Sequence, residues 1–268
     1  HVTELGDPLH IGMAWWAKSE EDLEKIAKAP GASNVHDIDE PGGGKRVTLP
    51  DPDGRIIEVI HGMEVAEDLP VRDVIINDGK HKFARIDLQR VSANPGQPST
   101  VKRSAHVVVK TKSLKKFNKW YQSTLGLAAS DHIMAPDELS NNMMTFNHID
   151  AGDEYVDHHV LLGIQSENAE FNHLSFEVAD FDDVNTGHNF LQSKGYKHAW
   201  GVGRHVLGSQ IFDYWRDPWG RIHEHFTDSD VVNNTHEGGR WEVHVGLNNQ
   251  WGPEFPEDFI DDPHLHIL

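Results

Sequence analysis

Short apolar runs, some alternating and some continuous, are separated along this chain by helical patterns and tight-turn signals, and the same succession returns. Two stretches share a tail: Asp51-Pro52-Asp53-Gly54-Arg55-Ile56-Ile57-Glu58 and Asp217-Pro218-Trp219-Gly220-Arg221-Ile222-His223-Glu224. Asp-Pro-x-Gly predicts a tight turn, because Pro presets φ and Gly accepts a positive φ, and an apolar-rich strand follows each time. Upstream, residues 9–14 and 172–178 read as matched strands, each leading into an amphipathic helix, over about 19–29 and 181–194. In the second helix Phe181, Val184, His188 and Leu191 fall on one face. A third copy opens with Ser104-Ala105-His106-Val107-Val108-Val109-Lys110, continues in a helix over 114–124 and closes with His158-His159-Val160-Leu161-Leu162-Gly163.

The repeating unit is therefore strand, helix and about three strands, at roughly 1–65, 104–165 and 170–228. The predicted class is α+β, built of repeated βαβββ modules paired into barrel-like domains. One module alone leaves a sheet edge and an apolar face uncovered, whereas two together can close a barrel. Modules two and three are expected to pair within a domain at 101–268. The first module and a joining segment, about 66–103, make a domain at 1–100. That segment ends in Ser92-Ala93-Asn94-Pro95-Gly96-Gln97-Pro98-Ser99-Thr100, a loop composition. The odd number of modules and the absence of an initial Met predict that a partner module precedes the first. After Asp228 the stretch 231–268 has no clear periodicity, but its aromatic residues predict that it wraps the domain near the pocket mouth.

Composition narrows the chemistry. With 24 Lys plus Arg against 43 Asp plus Glu, the formal charge is −19, which argues against nucleic acid or an anionic membrane as a partner. No apolar run approaches the roughly 20 residues that span a bilayer, and no signal-peptide pattern opens the chain. The absence of cysteine excludes disulfides, a thiolate nucleophile and Cys-held zinc or iron–sulfur clusters, and fits a cytoplasmic location. The 20 histidines leave imidazole and carboxylate as ligands for any metal, a set that suits Fe(II), Mn(II), Zn(II) or Ni(II).

His106 and His173 occupy equivalent places on the first strands of modules two and three. Glu224 lies on the last strand of module three, where Ile222, Glu224 and Phe226 share a face while His223 and His225 point the other way. A carboxylate on an apolar inward face is costly unless something positive neutralises it. Two imidazoles and one carboxylate on rigid strands make a facial triad that leaves positions open for substrate and dioxygen.

These stretches, with Gly203-Arg204-His205-Val206-Leu207-Gly208-Ser209-Gln210-Ile211-Phe212-Asp213-Tyr214 above all, resemble the type I extradiol ring-cleavage dioxygenases of the vicinal oxygen chelate superfamily. The resemblance runs over most of 1–228, its specific motifs lying from about 104 onward. It implies paired βαβββ modules, with Fe(II), or alternatively Mn(II), held by His106, His173 and Glu224. His159 matches the pocket histidine that acts as acid–base, with His158 as its competitor for that role. His205 and Tyr214 match groups that hydrogen-bond the substrate's hydroxyl oxygens. A catechol and O2 are the implied substrates, and a homo-oligomer is expected. Leu207 stands where some biphenyl-type members carry Asn, a departure that bears on which catechol is taken.

Three rivals remain: a glyoxalase-like metal-dependent isomerase, a non-catalytic binding protein of the superfamily, and a structural duplicate. The isomerase typically needs a further carboxylate ligand, for which only Asp157, just before the closing strand, is at hand. In module one, His10 and Glu58 stand where His173 and Glu224 stand in module three, and read as shared ancestry rather than a second metal site.

Overall fold

In the computed structural model, described for residues 10–71, 73, 78–80, 83, 86, 96–136, 138–256 and 259, the same module is built three times. The first comprises β1 (Gly12–Trp16), α1 (Glu20–Ile26), β2 (His36–Asp37), β3 (Lys45–Pro50) and β4 (Ile56–His61). The second runs through β5 (Val101–Thr111), α2 (Leu114–Leu125), β6 (Leu127–Ala135), β7 (Glu138–Ile149), the short β8 (Val156–Asp157) and β9 (Leu161–Gln165). The third holds β10 (Glu170–Val178), α3 (Phe181–Ser193), β11 (Lys197–His205), β12 (Ile211–Arg216) and β13 (Ile222–Thr227). In every copy the first strand lies parallel to the last, and the others follow antiparallel, as in β1-β4-β3-β2 and β10-β13-β12-β11. Parallel neighbours need a long crossover, which the helix supplies.

Local chemistry sets these boundaries. Ser19, Ser113 and Asp180 cap the three helices by accepting the backbone N–H of Asp22, Lys116 and Asp183. The repeated Asp-Pro-x-Gly turn is wired alike in both copies. Asp51 Oδ1 accepts from the N–H groups of Asp53 (2.9 Å) and Arg55 (2.8 Å), and Asp217 Oδ1 from those of Trp219 and Arg221 (both 2.9 Å). The closing strand of module two begins only at Leu161, so His158 and His159 lie in the bend before it rather than on the strand.

Modules two and three meet through antiparallel β5 and β10; in the tail past module three, β14 (Val231–Val232) pairs with β8, and β15 (Gly239–Glu242) and β16 (Asn249–Trp251) extend the sheet to ten strands. β15 adds to β6 at one edge and β16 to β11 at the other. Between Glu242 and Asn249 the chain advances 249 − 242 = 7 residues, including the single turn α4 (Val243–Gly246). At about 3.5 Å per residue that spans at most about 25 Å. The outer strands of a flat ten-stranded sheet would stand about 43 Å apart at about 4.8 Å per strand. The sheet is therefore strongly curled, and Ile133 of β6, Leu207 beyond β11, and Val243 and Leu247 of the tail close one apolar cluster across the gap.

The first module shares a core with the second: Leu23, Val47, Leu49 and Ile57 pack with Phe117, Tyr121 and Leu161. Tyr121 donates to Asp51 Oδ2 (3.1 Å), and the Arg55 guanidinium donates to the Lys110 carbonyl. Of the loop read at 92–100, residues 92–95 lie outside the described residues, as do 257–258 and 260–268 of the tail.

Candidate metal centre and the groups around it

Three adjacent strands, β5, β10 and β13, aim one side chain each into the hollow of the curled sheet. The register pairs His173 with Ile222 and Ser175 with Glu224 on parallel strands, so the histidine and the carboxylate sit two residues apart on neighbouring strands. Between β10 and β5 the ladder shifts by a bulge, and Ser175 Oγ fills it, accepting from the His106 N–H (2.9 Å) and donating to the His106 carbonyl (3.1 Å). The bulge re-aims His106 towards its partners.

All three side chains are buried. Glu224 Oε2 stands 2.8 Å from His106 Nε2 and 3.7 Å from His173 Nε2. Ligand atoms held about 2.1 Å from one ion stand about 3–4 Å apart, so this spacing suits a shared divalent cation. Two further observations agree. His173 Nε2 and Glu224 Oε2 are buried without a properly directed hydrogen bond, a costly state for a polar atom unless something else engages it. The remaining atoms are held: His173 Nδ1 donates to Asn172 Oδ1 (2.7 Å), and Gln210 Nε2 donates to Glu224 Oε1 (2.7 Å). His173 and Glu224 thus each have one atom tied to a supporting side chain and one turned to the centre, while His106 is fixed through its backbone by Ser175.

Among the described residues, two other clusters hold similar donor sets: Asp131, His158 and His236, and His188, His198 and Asp213. Their carboxylates are already saturated. Asp131 accepts from His158, the Gly239 N–H and the Trp241 indole, and Asp213 accepts from His188, His198 and the Trp215 indole.

Electrostatics follow from burial. Desolvation pushes the Glu224 carboxyl up, but His106, His173 and His205 outweigh it and hold the group at about 2. Burial drives His173 down to about 3 and His205 to about 4, in both cases against the pull of Glu224, so neutral imidazoles face a carboxylate. His159 is lowered as well, by burial and then by His106.

The remaining predicted residues gather at the same place. His159 lies beside His106, ring centroids 4.2 Å apart, while His158 turns away to Asp131. His205 ends β11, stacks on Phe212 at 3.9 Å and shares a hydrogen bond with the Tyr214 hydroxyl (3.0 Å). Tyr214 meets His173 edge-on at 5.1 Å, and burial followed by the Glu224 charge raises its phenol well above the usual value. The tail closes this side, as its aromatics predicted: Phe259 is buried against Tyr214 (4.8 Å) and Trp200 (5.3 Å).

Residues 103–224 match the model of the Glyoxalase/Bleomycin resistance protein/Dioxygenase superfamily. Over 248 residues the chain is 31% identical to metapyrocatechase 2 of Cupriavidus necator, covering 90% of this chain and 72% of that protein. The chain belongs to the extradiol ring-cleavage dioxygenases of the vicinal oxygen chelate superfamily. Solved structures share the fold of this extradiol family member at lower identity. Homoprotocatechuate 2,3-dioxygenase of Arthrobacter globiformis superposes with a TM-score of 0.70 at 17% identity, over 94% of this chain and 72% of that one. The Mn(II)-bound glyoxalase of Novosphingobium aromaticivorans gives 0.69 at 22%, over 92% and 75%.

Within this extradiol chain the modules are not equivalent in detail. Register pairs Gly12 with Ile56 and Ala14 with Glu58, so Gly12, not His10, occupies the place of His173. His10 instead packs on Phe171 at 4.9 Å, and Glu58 meets Arg46 at 3.1 Å. Sequence reading missed Asn172 and Gln210 as supports. Asn172 could have been flagged by its place next to His173. Gln210 reaches Glu224 only through the turn at Gly208 and Ser209, both at positive φ (72° and 56°), which no periodicity announces.

Proposed function

We propose that this chain cleaves a catechol beside its two hydroxyl-bearing carbons, inserting both atoms of dioxygen, with Fe(II) held by His106, His173 and Glu224. The carrying observation is the convergence of two imidazole nitrogens and one carboxylate oxygen, two of them buried without a hydrogen-bond partner. Held by these three side chains, a divalent iron would supply the redox-active centre that makes dioxygen reactive towards a catechol.

The chain's own groups supply the rest. His159 has one nitrogen, Nδ1, engaged by His158 and leaves Nε2 for proton transfer in the pocket. The paired His205 and Tyr214 offer hydrogen bonds to a substrate hydroxyl oxygen, in a buried setting where such bonds count for more than in water. Trp200, Phe212 and Phe259 make an apolar wall beside Tyr214 that suits an aromatic ring and excludes water. The isomerase alternative is disfavoured because the trio brings a single carboxylate, while Asp157 is turned out to Arg103 at 2.6 and 2.8 Å.

Anaerobic loading with Fe(II), followed by 3- and 4-substituted catechols and then air, tests the reading. A yellow ring-fission product with both oxygen atoms derived from labelled O2 is expected. No product from any catechol at full iron occupancy would overturn it in favour of the isomerase.

A further inference from the structure

Asp131 and His158 form a chain of hydrogen bonds behind His159 whose direction is fixed at its far end. Asp131 Oδ1 accepts two donors that cannot be reversed, the Gly239 N–H (2.7 Å) and the Trp241 indole N–H (2.8 Å). Its other oxygen, Oδ2, is 2.9 Å from His158 Nε2. A carboxylate only accepts, so the hydrogen of that bond sits on His158 Nε2. In a neutral imidazole the second nitrogen is then a lone pair. His158 Nδ1 is 3.2 Å from His159 Nδ1, so His159 must donate from Nδ1. This leaves His159 Nε2 as an unprotonated nitrogen.

From this accounting we infer that Asp131 and His158 are positioning residues that set the tautomer of His159, making Nε2 a proton acceptor beside the metal centre. The inference rests on the reading of His159 as the acid–base group. The geometry is built with some care. His158 is buried and clamped along its backbone, its N–H donating to the Asp230 carbonyl (3.0 Å) and its carbonyl accepting from Ser130 Oγ (2.5 Å). Its ring lies against Gly208, where a Cβ would stand 3.0 Å from His158 Nδ1 and where φ is +72°. The donors that orient Asp131 come from β15, so the tail holds the outer end of the chain.

Asp131→Asn should reverse the direction of this chain. Gly239 and Trp241 still demand an acceptor, so the Asn carbonyl takes the place of Oδ1 and the amide NH2 faces His158 Nε2. His158 Nε2 becomes the acceptor, Nδ1 carries the hydrogen, and His159 is turned to the tautomer protonated at Nε2.

The test is nitrogen NMR of histidine-labelled, full-length, metal-free protein, with the His159 signals assigned by their loss in His159→Gln. In the unmodified chain His159 should be protonated at Nδ1 and bare at Nε2. In Asp131→Asn the two should exchange, with turnover of the iron-loaded protein falling about 10²- to 10⁴-fold while Mn(II) binding is unchanged. A wild-type His159 protonated at Nε2 overturns the inference whether or not Asp131→Asn folds, as does an unaltered nitrogen pattern in folded Asp131→Asn. The nitrogen signals are read without substrate, so an absence of ring cleavage would refute the function and leave this inference standing.

Discussion

At Glu224 a carboxylate with no solvent exposure faces the imidazoles of His106 and His173, and Gln210 hydrogen-bonds only one of its oxygens. That single bond presents Oε2 alone to the centre. Replacing Gln210 by Leu should leave Glu224 Oε1 unpaired and free to swing, weakening divalent-metal affinity about 10- to 100-fold in a calorimetric titration with Mn(II); unchanged affinity would show that Gln210 does not orient the ligand. Tyr214→Phe removes only the hydroxyl that His205 contacts. It should retain the metal while kcat falls about 10- to 1000-fold, measured on the iron-loaded enzyme against the best catechol. Most of these residues were legible in the sequence, because strand alternation and equivalent positions in repeated modules single out His106, His173 and Glu224. Gln210 and Asp131 were not, since each acts through a contact between segments distant in the chain.

Among the elements, β10 carries the most, pairing β5 on one side and β13 on the other and bringing His173 between the two other ligand candidates. Its Ser175 ties the bulge opposite His106. Ser175→Ala leaves the His106 N–H and carbonyl without their partner in a buried strand and should cost about 1–3 kcal/mol, seen as a lower midpoint in urea unfolding. An unchanged midpoint would mean that the strands re-register without loss. The repeated turns, caps and crossover helices were readable from local chemistry. Register was less so: alternation shows which residues share a face but not the two-residue offset that puts Gly12 where His10 was expected. The bend at His158 and His159 likewise replaced a predicted strand, because both side chains are drawn into opposite hydrogen-bonded and ring contacts rather than alternating across a ladder.

Over the whole molecule, curling the sheet concentrates buried histidines in one hollow, and this sets the acid response. His173 and His205 titrate at about 3 and about 4 when folded, below the value of about 6.5 for an exposed histidine. Unfolding therefore takes up protons below about pH 6.5, and acid favours the unfolded chain. Glu224, held at about 2, adds loss in the same direction below the ordinary Glu range of about 4.3. The melting temperature of the metal-free protein should fall steadily from pH 7 to pH 4; a flat profile would mean that these imidazoles are not desolvated. The strap from β15 to β16 that closes the curl was only partly foreseen, since a stretch without periodicity shows that it wraps but not which edges it joins.

The most direct measurement is iron content after anaerobic loading and gel filtration, for the unmodified chain and for His106→Ala, His173→Ala and Glu224→Ala, with circular dichroism verifying the fold of each. One ion per chain in the unmodified protein and a near-complete loss in all three folded variants is the predicted result. Iron retained in full by any one of them, or never retained by the unmodified chain, would contradict a shared site.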